Sequence, residues 1–319
     1  MRAIYAGAIN PSDPLSGLVV GEQPEPSVPD GWALVRVRVS ALNHHDLWSL
    51  RGVGLPAERL PMILGCDAAG IDESGNDVVV HAVIGAGDDE TLDAGRSLLS
   101  EKHPGTMADL VAVPKANLVP KPPGLNWIDA ACLPTAWLTA YRMLTTRGRL
   151  ASGHSVLVQG AGGGVSTAAI ILAKALGATV YATSRDAAKR ARAEALGAIA
   201  FEPGARLPER VDVVIETVGA ATMEHSVKCA KPGARIVVSG ATSGHLAPID
   251  LRRVFFLQLE ILGSTMGTRD ELASLMALLA EHDLHPIVDR VYPFSQARDA
   301  FEHLARGDVF GKLVLDHTR

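Results

Sequence analysis

The segment from His154 to Lys189, HSVLVQGAGGGVSTAAIILAKALGATVYATSRDAAK, constrains the fold more than any other stretch of the chain. An apolar run at Val156–Val158 enters the turn Gly160-Ala161-Gly162-Gly163-Gly164, and a long helical pattern rich in Ala, Ile and Leu follows. After Gly177 a second β-branched run, Ala178–Ala182, completes the length and order of a βαβ unit. Glycine has no Cβ, so such a turn can close on a pyrophosphate seated at the positive N-terminal end of the helix. Gly160, Gly162, Gly163, Gly164 and Val165 are therefore candidate cofactor-binding residues. Turns into helices use glycine for their own geometry as well, so the flanks carry the discrimination.

At the end of the second strand a dinucleotide fold usually places a carboxylate to hold the adenine ribose hydroxyls. The chain has Thr183-Ser184-Arg185 there instead, with Lys189 one helical turn on. A hydroxyl and two cations suit the additional 2′-phosphate of NADP, so Ser184, Arg185 and Lys189 join the candidates and NADPH is the expected cofactor. A solvated basic helix face would look the same.

With 319 residues, 47% hydrophobic and 20% charged, the chain can bury a large core and hold two domains. A formal net charge of −5 without a basic run speaks against nucleic acid. Cys66, Cys132 and Cys229 are far apart and odd in number, which argues against a disulfide framework or a metal knuckle and fits a reducing cytoplasm. The N-terminus MRAIYAGAINPSDP lacks a basic-plus-apolar signal segment, and no run approaches the roughly 18 apolar residues of a membrane span. A soluble cytoplasmic protein with no membrane partner is expected.

Around the central segment the texture changes. Trp32–Val39 alternates with period two, and the short runs Asp77–Val83 and Ala108–Val113 are punctuated by Pro and Gly, as in a small, mainly β domain. The proline-rich Leu118–Leu125 marks a link, and helical character is expected from Trp127 to Leu150. Beyond the glycine segment, Val211–Ile215, Ala234–Ser239 and Leu259–Leu262 continue an α/β alternation, with a helix expected at Arg269–Glu281. Loops after such strands line the ligand crevice, which makes Thr217, Gly240, Ala241, Gly263 and Ser264 candidates too. The tail, with strands Ile287–Val291 and Lys312–Leu315 around a helix Ser295–Ala305, is expected to rejoin the first domain.

Several strings, in this order and spacing, resemble the medium-chain dehydrogenase/reductase superfamily, and within it the zinc-independent quinone oxidoreductase branch. They are Asn43-His44-His45-Asp46-Leu47, Leu64-Gly65-Cys66-Asp67-Ala68-Ala69-Gly70, Pro104-Gly105-Thr106-Met107-Ala108, the GAGGGV turn, Asp212–Gly219 and Gly311-Lys312-Leu313-Val314-Leu315. The resemblance implies an α/β chain: a GroES-like, mainly β domain at 1–121 completed by 286–319, and a doubly wound parallel-sheet Rossmann domain at 122–285. It also implies NAD(P)(H) between the domains, with Lys312 among the cofactor contacts, and a homodimer, for which the apolar strand region Leu257–Leu262 is the expected pairing edge.

The zinc alcohol dehydrogenases of that superfamily hold catalytic zinc at positions that match Asn43, Cys66, Asp67 and Thr135. Amide and hydroxyl groups are poor zinc ligands, and a catalytic site needs three good protein donors. The structural zinc lobe needs four cysteines, and Asp88–His103 has none. No metal is expected. Ser166 also stands where the glycine fingerprint usually ends in glycine.

The expected activity is NADPH-dependent hydride transfer to a quinone or an α,β-unsaturated carbonyl. Asn43, Thr135, His45 and Asp46 are the candidate catalytic residues, through hydrogen bonds to a developing oxyanion and proton transfer. Other readings stay open. Asn43 and Asp46 can simply cap a helix, Cys66 can be a small buried hydrophobe, and His282 with His285 can either bind metal or complement a helix C-terminus. A zinc-dependent alcohol dehydrogenase and a non-catalytic NADPH-binding protein are the alternatives.

Overall fold

Alternating burial along the ten-residue strand Trp32–Ala41 makes it the spine of the first unit. The computed structural model describes residues 1–319. In it this strand pairs antiparallel with Asp67–Asp72 and Leu110–Pro114 along much of its length, and with Lys312–Asp316 at its end. Val288–Pro293 then adds parallel to Lys312–Asp316. The chain's tail is thus built into the N-terminal sheet. Its helix Ala297–Arg306 buries Ala297, Ala300, Phe301 and Leu304 in one cluster with Ile4, Leu18, Leu47, Leu50 and Leu64. The chain divides into Met1–Ala136 with Met266–Arg319, and Trp137–Thr265.

These divisions differ from the expected 121/122 and 285/286, and the reason is local bonding. His81, fully buried, sets Nε2 2.8 Å from the Gly267 carbonyl, and Glu90 accepts from both Arg269 N (2.8 Å) and Arg269 Nε (3.2 Å). The helix Arg269–His282 is thereby tied to the first unit, where it also packs on Leu118–Pro120. The helical character expected from Trp127 to Leu150 is present, but in short pieces of two kinds. It runs as Trp127–Ala131, a π-helical turn Leu133–Trp137, Leu138–Arg142 and a second π turn Met143–Arg147. Pro134, which lacks an N–H, sits in the first of these turns.

The second unit is a six-stranded parallel sheet. Numbered along the chain, Ser155–Val158, Thr179–Thr183, Ile199–Phe201, Val211–Glu216, Ala230–Val238 and Glu260–Gly263 stand in the order 3-2-1-4-5-6. The switch between the first and fourth strands opens a crevice at their carboxyl ends, and the glycine turn lies there. No helix is long and apolar enough to cross a membrane.

Candidate functional site

In the first unit the site grows from the short helix His44–Leu50. Asp46, fully buried at its third position, accepts from Asn43 N (2.7 Å) and from Gly65 N (3.1 Å). Burial, partly offset by nearby His45, raises its carboxyl to about 6. Both oxygens are engaged by the backbone, so Asp46 braces the helix against the Leu64–Asp67 strand entry. Of the two roles open to it, these bonds are those of a helix cap.

Gly65 takes φ +99°, and a Cβ there would collide with Thr106 Oγ1 and Met107 Cγ. The space lets the strings Leu64–Asp67 and Pro104–Met107 interlock, with Thr106 N donating to Gly65 O (3.0 Å), Met107 N to Leu64 O (2.8 Å) and Thr106 Oγ1 to Asp67 O (2.9 Å). Asp67 is held at the centre. Its Oδ2 accepts from Asn43 Nδ2 (2.9 Å) and Lys312 Nζ (2.9 Å), while its Oδ1 is buried with no partner. Lys312 also donates to Leu42 O (2.8 Å) and to Asn43 Oδ1 (2.6 Å). All three ammonium hydrogens are therefore used inside the first unit, at 2% exposure. Lys312, expected among the cofactor contacts, is here the internal counter-ion of Asp67. Sequence reading did not pair these residues because 245 positions separate them.

His45 Nε2 lies 2.9 Å from Glu101 Oε1, and Nδ1 lies 3.6 Å from Cys66 Sγ, which donates to Leu99 O at 3.3 Å. Burial pushes the Cys66 thiol up, and Cys132, also buried, is pushed up to about 12. Both sulfurs behave as small buried groups. Thr135 sits in the π turn with a buried Oγ1 that has no hydrogen-bond partner. His285 meets the buried Asp129 (2.7 Å) at the surface, whereas no bond links it to His282.

Asn43, Cys66, Asp67 and Thr135 do not compose a zinc site. An ammonium already occupies the space between Asn43 and Asp67, the thiol is held protonated, and the fourth group is a hydroxyl. No three His, Cys, Asp or Glu side chains converge on a common point.

In the second unit the glycine turn precedes the twelve-residue helix Gly164–Ala175, capped at Gly163. Gly160 and Gly162 take φ +76° and +133°. A Cβ on Gly160 would strike Val218, and one on Gly162 would strike the Lys189 side chain, which arches over the turn. Ala161 N donates to Thr183 O (2.7 Å). Ser166, at the departure from the glycine fingerprint, accepts from Gly162 N (3.1 Å) and donates to Gly163 O (3.0 Å), so its hydroxyl braces the turn it might have crowded. The cradle and the helix N-terminus fit a pyrophosphate.

Ser184 is buried and Arg185 exposed at the end of Thr179–Thr183. Asp186, the next residue, caps the helix Ala187–Ala195 by accepting from Ala188 N (2.7 Å) and Lys189 N (3.2 Å). Arg190, absent from the sequence reading, donates to Ser184 O (2.7 Å) and Arg185 O (3.2 Å) and fixes that corner. Glu216 was also missed as an organising group. Its buried carboxylate accepts from Val218 N, Gly219 N, Thr222 Oγ1 and Ser226 Oγ, and so shapes the loop that carries Thr217. Gly240 lies against Thr217 O, Thr242 N reaches that carbonyl at 3.4 Å across Ala241, and Ser264 N donates to Val238 O beside Gly263. An acidic residue directly after the apolar run Val213–Ile215 was the signal for Glu216.

Comparison with known proteins agrees with both halves. The alcohol dehydrogenase GroES-like domain matches residues 29–123, and the zinc-binding dehydrogenase domain matches residues 176–315. The chain is 31% identical to a zinc-type alcohol dehydrogenase-like protein of Schizosaccharomyces pombe, over 95% of this chain and 97% of the relative. It is 31% identical to 2-methylene-furan-3-one reductase of Solanum lycopersicum, over 91% of this chain and 73% of the relative. A solved structure described as an NAD-dependent alcohol dehydrogenase superposes with TM-score 0.90 at 34% identity, covering 99% of each chain. The chain belongs to the medium-chain dehydrogenase/reductase superfamily of oxidoreductases.

Proposed function

We propose that the chain is an NADPH-dependent reductase of α,β-unsaturated carbonyls or quinones that works without a metal. The observation that carries this reading is the ammonium of Lys312 placed 2.6 Å from Asn43 Oδ1 and 2.9 Å from Asp67 Oδ2, among the positions where zinc-dependent relatives hold their ion. An alcohol needs help to lose its hydroxyl proton, which zinc gives by lowering that pKa; an enone or quinone is already electrophilic and needs only its developing oxyanion stabilised. Thr135 Oγ1, buried with no partner, and the second N–H of Asn43 Nδ2 are the donors assigned to that oxyanion. The name of the tomato relative supports an unsaturated ketone as acceptor.

The amides at the start of Gly164–Ala175 and the groups Ser184, Arg185 and Lys189 would hold the dinucleotide, which supplies a hydride when bound. NAD-linked alcohol oxidation, named for the similar solved structure, is the competing reading, and cofactor titration separates them. Because Asp186 is engaged as a helix cap, NADPH is expected to bind tighter than NADH. Arg185→Ala or Lys189→Ala should weaken NADPH binding roughly tenfold to a hundredfold. Equal affinity of the parent for both dinucleotides counts against the assignment. Turnover of a panel of enones, quinones and simple alcohols tests the activity itself, with alcohols expected to be the poor substrates.

The assembly we infer is a homodimer. The strand Glu260–Gly263 is at the sheet edge, paired only with Ala230–Val238, and beside it Leu251, Phe255 and Phe256 are 72%, 68% and 80% exposed. An unpaired edge next to exposed aromatics favours a second copy. Light scattering should give twice the chain mass of 33.5 kDa. Phe256→Glu should return it to the monomer, and a monomeric parent at micromolar concentration would refute the assembly.

A further inference from the structure

Arg190 lies one turn inside the helix Ala187–Ala195, yet its side chain reaches back to the turn that precedes that helix. Nη1 donates to Ser184 O (2.7 Å) and Arg185 O (3.2 Å), while Nη2 pairs with Glu202 at 3.2 Å. The Glu202 side chain is 75% exposed and that of Arg190 only 20%. An ion pair with so exposed a partner contributes little, so the grip on the two carbonyls is the stronger part of the arrangement.

The turn that Arg190 holds abuts the glycine cradle. Thr183 accepts from Ala161 N through its carbonyl (2.7 Å) and from Gly160 N through its hydroxyl (3.3 Å), and the Lys189 stem lies where a Cβ on Gly162 would stand. A dinucleotide with its pyrophosphate on the glycine turn therefore brings its adenosine end to Ser184 and Arg185. Few donors are free there. Asp186 takes the helical amides Ala188 N and Lys189 N, and Ser184 Oγ accepts from Asp186 N at 3.3 Å, which leaves the hydroxyl hydrogen unspent. The Arg185 guanidinium has no partner within the chain. The carbonyls of these same two residues are the negative ends of peptide dipoles, and uncovered they would repel a phosphate. Arg190 covers both.

We propose that Arg190 sets the preference for NADPH over NADH as a positioning residue: by holding Ser184 O and Arg185 O it presents the Ser184 hydroxyl and the Arg185 side chain to the 2′-phosphate, without being a ligand itself. This rests on the NADPH reading above. Both hydrogens of Nη1 are spent on the carbonyls, so the contribution of Arg190 passes through the residues it holds. NADH has a bare ribose hydroxyl in place of the phosphate and draws little from the arrangement.

Calorimetric titration without any acceptor tests this, using NADPH, NADH and the fragments adenosine 2′,5′-bisphosphate and 5′-AMP. Arg190→Met should weaken NADPH and the bisphosphate about tenfold, and NADH and 5′-AMP by less than about twofold. Arg190→Lys, which keeps the charge and can reach one carbonyl, should recover part of the loss. In an Arg185→Ala background, Arg190→Met should cost less than about threefold, because much of what it positions is gone. Equal weakening of NADPH and NADH would reduce Arg190 to a fold contact and overturn the inference. A full tenfold loss in the Arg185→Ala background would make Arg190 a phosphate ligand in its own right and overturn the positioning role. Should the methionine variant bind none of the four, Arg190→Lys decides, since it must lose NADPH more than NADH. A parent with equal affinity for both dinucleotides sinks the NADPH reading and this inference with it, whereas a selective parent whose selectivity survives Arg190→Met overturns this inference alone.

Discussion

Lys312→Met is expected to lower the unfolding free energy by about 3–5 kcal/mol. Methionine retains most of the aliphatic stem, so the loss isolates the charge. Asp67 is fully buried, and without the ammonium its carboxylate would keep only the Asn43 amide. Leu42 O and Asn43 Oδ1 would lose their donor as well. Adding Asp67→Asn to the variant should restore part of the stability, because an uncompensated buried charge costs more than a buried amide. Denaturant midpoints of the single and double variants check this. A loss below about 1 kcal/mol in Lys312→Met would mean that the pair is hydrated and does not organise the site.

Thr135→Val should separate catalysis from stability. Valine matches the shape of threonine, and the Oγ1 it removes is buried without a partner, so stability should hold or rise slightly. If the hydroxyl is an oxyanion donor, kcat for an enone should nevertheless fall by up to about 10²–10³, with NADPH affinity unchanged. A valine variant as fast as the parent would remove Thr135 from the reaction and leave the hydroxyl as an unexplained polar atom in a π turn.

Much of this was legible in the sequence because it is local. The glycine turn, the strand ending at Thr183 and the alternation of Trp32–Val39 are read from neighbours in the chain, and the strands form there. Asp46 also showed its capping position three residues after Asn43. What could not be read were pairings set by topology. Lys312 reaches Asp67 only because the strand Lys312–Asp316 joins the edge of Trp32–Ala41, and Glu101 reaches His45 across 56 residues. The unit divisions were displaced for the same reason, since His81 and Glu90 hold the start of Arg269–His282. The π turn at Leu133–Trp137, which decides where Thr135 points, has no periodic signal at all.

In the proposed reaction Asn43 and Thr135 stabilise the oxyanion without a metal, and Lys312 holds Asn43 and Asp67 in place. The most direct measurement is enone-dependent NADPH oxidation by protein dialysed against a strong chelator, with zinc content determined on the same sample and zinc then added back. The account predicts full activity at negligible zinc and no gain on addition. Activity that disappears with the chelator and returns with zinc would contradict it, and would make Cys66 and Asp67 metal ligands.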